Sequence, residues 1–228
     1  MERLDKILAR RGAASRQAAQ RLCRQGRVRV GGMVVRDPSQ KVDGSLEVLV
    51  DGEAYEEAPL FAIYHKPVGV QSSMADNWGR EDLQEVLPEA WQSVMHPVGR
   101  LDADTSGLLL FSSDGKLTQK LLHPKHEVPR VYEALVENPV DEARLRTTLA
   151  AGVETAEGVF SAGLLSVDGQ TLRLEVSEGK YRMVRRILAN SGHPVVKLHR
   201  VSYGGFELGN LEPGALRACE ESEWEWLL

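Results

Sequence analysis

The sequence predicts an α+β protein, with a small basic unit at the N-terminus and a larger domain built on a largely antiparallel sheet flanked by helices. Three observations carry this. Charge divides sharply: residues 1–43 hold eleven Lys/Arg against four Asp/Glu, and the remainder holds seventeen against twenty-nine. Within that first segment the hydrophobic period changes from helical to alternating. Beyond residue 60, short apolar runs follow one another with few helical crossovers between them, which favours antiparallel pairing over a doubly wound sheet.

In the basic segment Leu4, Ile7 and Leu8 recur at helical spacing, and Gly12 ends that helix. Ser15 is placed to N-cap a second helix with the apolar stripe Ala18, Ala19, Leu22 and Cys23, and Gly26 suits its C′ position. Arg27-Val28-Arg29-Val30 alternates like a half-buried strand, Gly31-Gly32 is a hairpin signal, and Met33-Val34-Val35 forms the partner. LEVLV (46–50) completes a first domain predicted over 1–50. Residues 51–59, acidic and ending in Pro59, read as a linker to a second domain over 60–228. There the strand LFAIYHKP leads, with further strands expected near 96–98, 107–112, 131–137, 159–166, 171–177 and 195–203. Helices are expected near 81–87, 115–123, 140–151 and 180–191.

The composition narrows the function. Of the 228 residues, 42% are hydrophobic, enough for a real core, yet no apolar run approaches the roughly 20 residues that span a bilayer. The start MERLDKILARRG lacks the apolar stretch of a secretory signal. Cys23 and Cys219 are far apart and outside any CxxC pair, which argues against a disulfide framework or a zinc site and for a cytoplasmic location. The basic unit on an acidic protein suggests a polyanion-binding module.

The stretch Gly99-Arg100-Leu101-Asp102-Ala103-Asp104-Thr105-Ser106-Gly107 sets polar residues and glycines at the mouth of the apolar strand LLLF, as a site loop does. From the residues alone, Asp102 and Asp104 could equally cap a turn. The longer string GRLDADTSGLLLFSSDG, however, resembles the signature loop of the pseudouridine synthases, closest to their RsuA-like ribosomal branch and within it to the small-subunit type. HKPVGV (65–70), Pro129-Arg130-Val131-Tyr132 and SEGKYRMVRRILANSGHPVVKLHRVSYGG (177–205) resemble that family's other motifs in order, and residues 1–43 resemble an S4-type RNA-binding domain.

The resemblance implies that Asp102 is the catalytic carboxylate and that Tyr132 stacks on the flipped uracil and assists proton removal from C5. It also implies that Arg185 pairs with Asp102 and that Arg100 lies by the target nucleotide. The family's basic-x-Tyr motif carries Arg130 here, an expected RNA contact, where many members have Lys, and Arg182-Met183 stands where relatives often have His and Gln or Glu. Arg10, Arg11, Arg16, Arg24, Arg27 and Arg29 of the S4-like segment become expected phosphate contacts, extended by Lys180, Arg182, Arg186, Lys197 and Arg200. The expected substrate is a uridine of ribosomal RNA, small-subunit by overall length and the ending HRVSYGG, free or in a ribosome assembly intermediate. The protein is expected to act as a monomer in the cytoplasm.

The residue-level chemistry agrees. Pseudouridine formation breaks the C1′–N1 bond, turns the base and joins C5 to C1′, so no atoms are gained or lost and no cofactor or metal is expected. It needs an ionised carboxylate in a dry pocket, and burying such a charge calls for a partner. On the predicted helix 180–191, Tyr181, Val184 and Leu188 define the apolar face, and Arg185 lies nearer to it than Arg182 or Arg186. An inward guanidinium of that kind suits the carboxylate of Asp102 and would hold it anionic. Lys66-Pro67 reads as structural. Two competing readings are a silent S4-domain binder, which would have lost Asp102, Tyr132 or Arg185, and an N-glycosidase using Asp102 and Asp104, which lie too close in sequence to flank a sugar.

Overall fold

The computed structural model describes residues 1–14, 16–54, 58–74, 83 and 85–228. The expected N-cap Ser15, part of the 51–59 linker and residues 81, 82 and 84 of the expected 81–87 helix lie outside the described residues; the rest of that stretch, 83 and 85–87, forms bends and turns and not a helix. A single helical turn occurs nearby at Glu89–Gln92.

The basic segment forms α1 (Leu4–Arg10) and α2 (Arg16–Arg24), then β1 (Val28–Val30), β2 (Met33–Val34), β3 (Val48–Val50) and β4 (Glu53–Ala54). The four strands make a sheet in the order β2-β1-β3-β4. Leu4, Ile7, Leu8, Ala19, Cys23, Val28 and Val30 close a core of their own. The β1–β2 turn uses Gly31 and Gly32 at φ +55° and +80°, a pair of left-handed residues that matches the twist of a tight hairpin. Asp5 is fully buried in this core. It is tied to Arg3 by two hydrogen bonds of 3.0 and 2.9 Å and to Gln20 by one of 3.1 Å, and the Arg3 guanidinium pulls its carboxyl down to about 2.

The second domain is organised by one mixed sheet. Its main strands are β5 (Phe61–Lys66), β6 (Thr105–Ser112), β7 (Arg130–Val136), β8 (Gly163–Asp168), β9 (Thr171–Val176), β10 (Val195–Tyr203) and β11 (Leu216–Ala218). They run in the order β8-β9-β7-β10-β6-β5-β11. Every neighbouring pair is antiparallel except β10 and β6, which run parallel with Leu198, His199 and Arg200 opposite Thr105, Ser106 and Gly107.

Both faces of the centre are covered, which explains the unbroken run LLLF in β6: a strand buried on two sides has no polar face to alternate with. On one face Tyr64, Leu109, Phe111, Leu172 and Leu174 pack with α4 (Glu142–Ala151) and α5 (Met183–Asn190). On the other, Phe61, Ile63, Leu108 and Leu110 pack with α3 (Gly115–Leu122) and with the C-terminal Leu227. Asp114 caps α3 by accepting from the backbone N–H of Lys116 and Leu117 at 2.7 and 3.1 Å. In β7 the burial alternates, the pattern of a strand less fully enclosed.

The helix expected over 180–191 begins only at Met183. Arg182 stands before it at φ +49°, a left-handed conformation that costs a non-glycine residue about 1 kcal/mol. Tyr181 is therefore off the helix and 59% exposed, not on its apolar face, which consists of Met183, Val184, Ile187 and Leu188.

Candidate active site

The loop 98–104 runs into β6 at the parallel junction, and the fold pins it from several sides. Gly99 turns it at φ +77°. Leu101 is buried; its N–H donates to Ser72 Oγ at 3.0 Å, and that hydroxyl donates back to Leu101 O at 2.7 Å. Thr105 N–H donates to Asp102 O at 3.0 Å, and Gly69 N–H to Ala103 O at 2.7 Å. The 67–70 turn that supplies Gly69 is in turn held by Lys66. Lys66 is fully buried, and its Nζ donates to Pro67 O at 2.9 Å and Val70 O at 2.7 Å. Burial pushes the Lys66 ammonium down to about 8, against the pull of the Asp102 and Asp104 carboxylates. The structural reading of Lys66-Pro67 fits this role.

Asp102 opens onto a pocket of 440 Å³, within the range of about 300–1,000 Å³ typical of small-ligand sites. Its floor is made by two cross-strand pairs of β7 and β10, Arg130 opposite Tyr203 and Tyr132 opposite Arg200, with a β-bulge between them. Arginines and tyrosines alternate there at close range: Arg130 Cζ is 4.5 Å from the Tyr203 ring centre, and Arg200 Cζ is 5.2 Å from Tyr203 and 6.0 Å from Tyr132. Such stacking favours a guanidinium out of water. Arg100, Lys180, Tyr181 and Arg182 also line the pocket, so that its cations outnumber the carboxylates of Asp102 and Glu178 and suit it to phosphate.

Residues 61–190 match the RNA pseudouridylate synthase family, and residues 2–53 match the S4 domain. A Mycobacterium tuberculosis RNA pseudouridine synthase is 41% identical over 232 residues, covering 97% of this chain and 91% of its own. The Bacillus subtilis ribosomal large subunit pseudouridine synthase B is 39% identical over 231 residues, covering 98% and 94%. The chain belongs to the RNA pseudouridine synthase family. A crystal structure of a pseudouridylate synthase superposes on it with a TM-score of 0.69 at 30% identity over the full length of both chains.

In this synthase the expected residues Asp102, Tyr132, Arg100, Arg130 and Arg182 line one pocket. Arg185 does not pair with Asp102. Its Nη2 donates to Asp104 O at 2.7 Å, its Nη1 to Val195 O at 3.2 Å, and its Nε lies 3.3 Å from Asp104 Oδ2. It clamps the end of the site loop to the start of β10. Among the described residues the cation nearest Asp102 is Arg182, with Nη1 at 4.0 Å from Oδ2. Arg182 also grips Asp104 with two hydrogen bonds of 3.1 and 2.8 Å, which lower the Asp104 carboxyl from its ordinary value. Because the helix starts late, position 182 sits on a turn that faces the loop and position 185 falls behind it.

Arg130 is also corrected. It is buried, and its guanidinium donates to Ser177 O at 3.0 Å, Val128 O at 3.3 Å and Tyr203 Oη at 2.8 Å. It braces the pocket floor and is not available to grip RNA. In the S4 domain, Arg11 is half-buried and likewise engaged, bonding Gly44 O at 2.7 Å and Leu46 O at 3.4 Å. Arg24 is exposed, as expected. Arg16, Arg27 and Arg29 are exposed but touch Asp5, Asp51 and Gly32 O respectively, and Arg10 pairs with Glu2 at 3.0 Å.

Arg200 is the residue that sequence reasoning misplaced most. From the sequence it reads as an extension of the phosphate-contacting track around the site, yet it is 3% exposed and lies on the pocket floor. The available signal was Leu198, two positions earlier on the same face of a strand.

Proposed function

We propose that the synthase isomerises a uridine of large-subunit ribosomal RNA, with Asp102 as the reacting carboxylate, Tyr132 against the base and the S4 domain as the anchor. The observation that carries it is the position of Asp102 at a pocket whose floor is Tyr132 and Arg200. A duplex hides C1′ and C5, so the nucleotide must be everted into this pocket or taken from an open loop. There the C1′–N1 bond breaks, with its electron pair staying on the ring and C1′ passing to the Asp102 carboxylate. The ring turns, C5 bonds to C1′ as the carboxylate leaves, C5 loses its proton and N1 gains one. Tyr132 Oη helps to move that C5 proton. Arg182 and Arg185 act through the loop, the first as a cation 4.0 Å from Asp102 and the second as the clamp.

The large-subunit target is supported by relatives that carry that substrate in their names, from Bacillus subtilis and from Vibrio cholerae, the latter 37% identical over 224 residues. Nothing supports the small-subunit expectation drawn from length and the ending HRVSYGG. Action as a monomer in the cytoplasm, on free rRNA or an assembly intermediate, completes the proposal. Among the described residues no helix is long and apolar enough to cross a membrane.

The test is a map of pseudouridines in both rRNAs from cells with the intact protein, with Asp102→Ala and without the gene. One large-subunit uridine should remain unmodified in the latter two, while purified Asp102→Ala still binds the RNA. A full rate in Asp102→Ala refutes the catalytic assignment, and a missing mark in the small subunit refutes the target.

A further inference from the structure

Two residues that line the pocket each hold a buried polar atom with no partner among the described residues: Arg200 Nη2 and Thr105 Oγ1. Their residues are 3% and 2% exposed. Such orphans are uncommon in folded proteins, because each forfeits its hydration without a replacement bond. Arg200 is the more unusual. Its Nε donates to Leu108 O at 2.8 Å, and its Nη1 reaches Tyr132 Oη at 3.4 Å. Yet among the described residues it makes no ion pair. A buried cation without a carboxylate is costly unless the site supplies negative charge at some stage.

The backbone is arranged to put it there. Gly107 has φ +109°, and a Cβ on it would lie 2.2 Å from Arg200 O and 2.5 Å from Arg200 N. Only a glycine lets β10 approach β6 closely enough for Arg200 to reach Leu108 O beneath the pocket. Thr105, opposite Leu198 on the same two strands, brings its hydroxyl to the same wall.

We propose that Arg200 and Thr105 form the base-reading subsite of this pocket, binding a carbonyl oxygen of the everted uracil ring, and that the Arg200 charge stabilises the ring while it carries the electron pair of the broken C1′–N1 bond. Uracil offers O2 and O4 as acceptors, and both gain negative charge once N1 has kept that pair. Arg200 then meets the anion that its own surroundings lack. The bond tightens as charge develops, so it acts on the rate more than on binding. The Arg–Tyr stack beneath would keep the guanidinium planar against the pocket and aligned with the ring edge. This inference rests on the proposed reaction.

The test uses the full-length protein and RNA substrates carrying uridine, 2-thiouridine or 4-thiouridine at the target position, since sulfur accepts hydrogen bonds poorly. In single turnover the unaltered protein should slow about tenfold or more on one of the two thio substrates. Arg200→Met should slow on uridine by about 10²–10³-fold, with RNA affinity within roughly threefold, and should no longer distinguish the thio substrates. Thr105→Val should show a smaller loss of the same kind. If neither thio substrate slows the unaltered protein, the proposal is overturned whether or not Arg200→Met folds. It is equally overturned if Arg200→Met keeps the full rate or keeps the whole thio penalty. Failure of the unaltered protein to form pseudouridine on the plain RNA would instead sink the reaction on which this rests.

Discussion

Gly107 and Arg200 meet backbone to backbone across the parallel β6–β10 junction, with room for a hydrogen and nothing larger on Gly107. The neighbour is main chain within a sheet and cannot swing aside as a flexible side chain would. Gly107→Ala should therefore push the two strands apart, cost several degrees of melting temperature and reduce turnover more than RNA binding. Melting by circular dichroism and single-turnover rates would check this. An alanine variant with unchanged melting and rate would show that the junction tolerates the shift.

Asp104 ties together the two arginines that flank the loop, Arg182 through paired hydrogen bonds and Arg185 through its Nε. The Arg182 pair opposes the strain of its left-handed backbone. Asp104→Ala and Arg182→Ala should each lower the single-turnover rate by about ten- to a hundredfold. Because they remove one interaction, the double variant should fall short of the summed losses, with a coupling energy of about 0.5–3 kcal/mol. Additive losses would mean that the two residues act separately.

Much of this site was legible in the sequence because its parts are local. GRLDADTSG lies in one loop, and the apolar LLLF after it marks a doubly buried strand. Tyr132 declared itself through the motif around it. What escaped depends on backbone geometry that periodicity cannot report. One left-handed residue at 182 delays a helix by a turn, moving Tyr181 off the core and exchanging the tasks of Arg182 and Arg185. Arg200 read as a phosphate contact because a charge on a strand usually faces solvent; only its register against Gly107 and Tyr132 puts it on the floor. Arg11 on the basic segment and Arg130 in its motif show the same limit, since an arginine there reads as an RNA contact until its carbonyl partners are seen.

Lys66 gives the fold a signature in alkaline pH. In the native state its ammonium titrates at about 8 because it is buried, whereas in the unfolded chain it does so at 10.5. Between those values the unfolded chain holds a proton that the native one has lost, so raising the pH through that window stabilises the fold, by roughly 3 kcal/mol over its full width. Cys23 and Cys219, pushed up to about 11 and 12 by burial, act in the opposite sense above pH 9. The clean reading is the difference in slope between the unaltered protein and Lys66→Met from pH 7.5 to 9.5 in urea titrations. Equal slopes would show that the lysine is not desolvated as its burial implies.

Among the described residues that line the pocket, Tyr181 is the most open aromatic ring, 59% exposed, with Arg186 Cζ 5.2 Å from its centre. A large exposed ring backed by a guanidinium offers a face on which an unpaired base can stack, and RNA with an everted uridine has such a base beside the gap. Stacking is worth about 1–3 kcal/mol per base, so Tyr181→Ala should weaken binding of the substrate RNA by roughly five- to a hundredfold, whereas Tyr181→Phe should bind normally. The salt dependence of binding should not change, because no phosphate contact is lost. With the RNA saturating, the alanine variant should still turn over near the normal rate. Titrations of labelled RNA at two salt concentrations decide it: equal affinity in the alanine variant removes the stacking role, and a phenylalanine variant as weak as alanine would assign the contact to the hydroxyl and not to the ring.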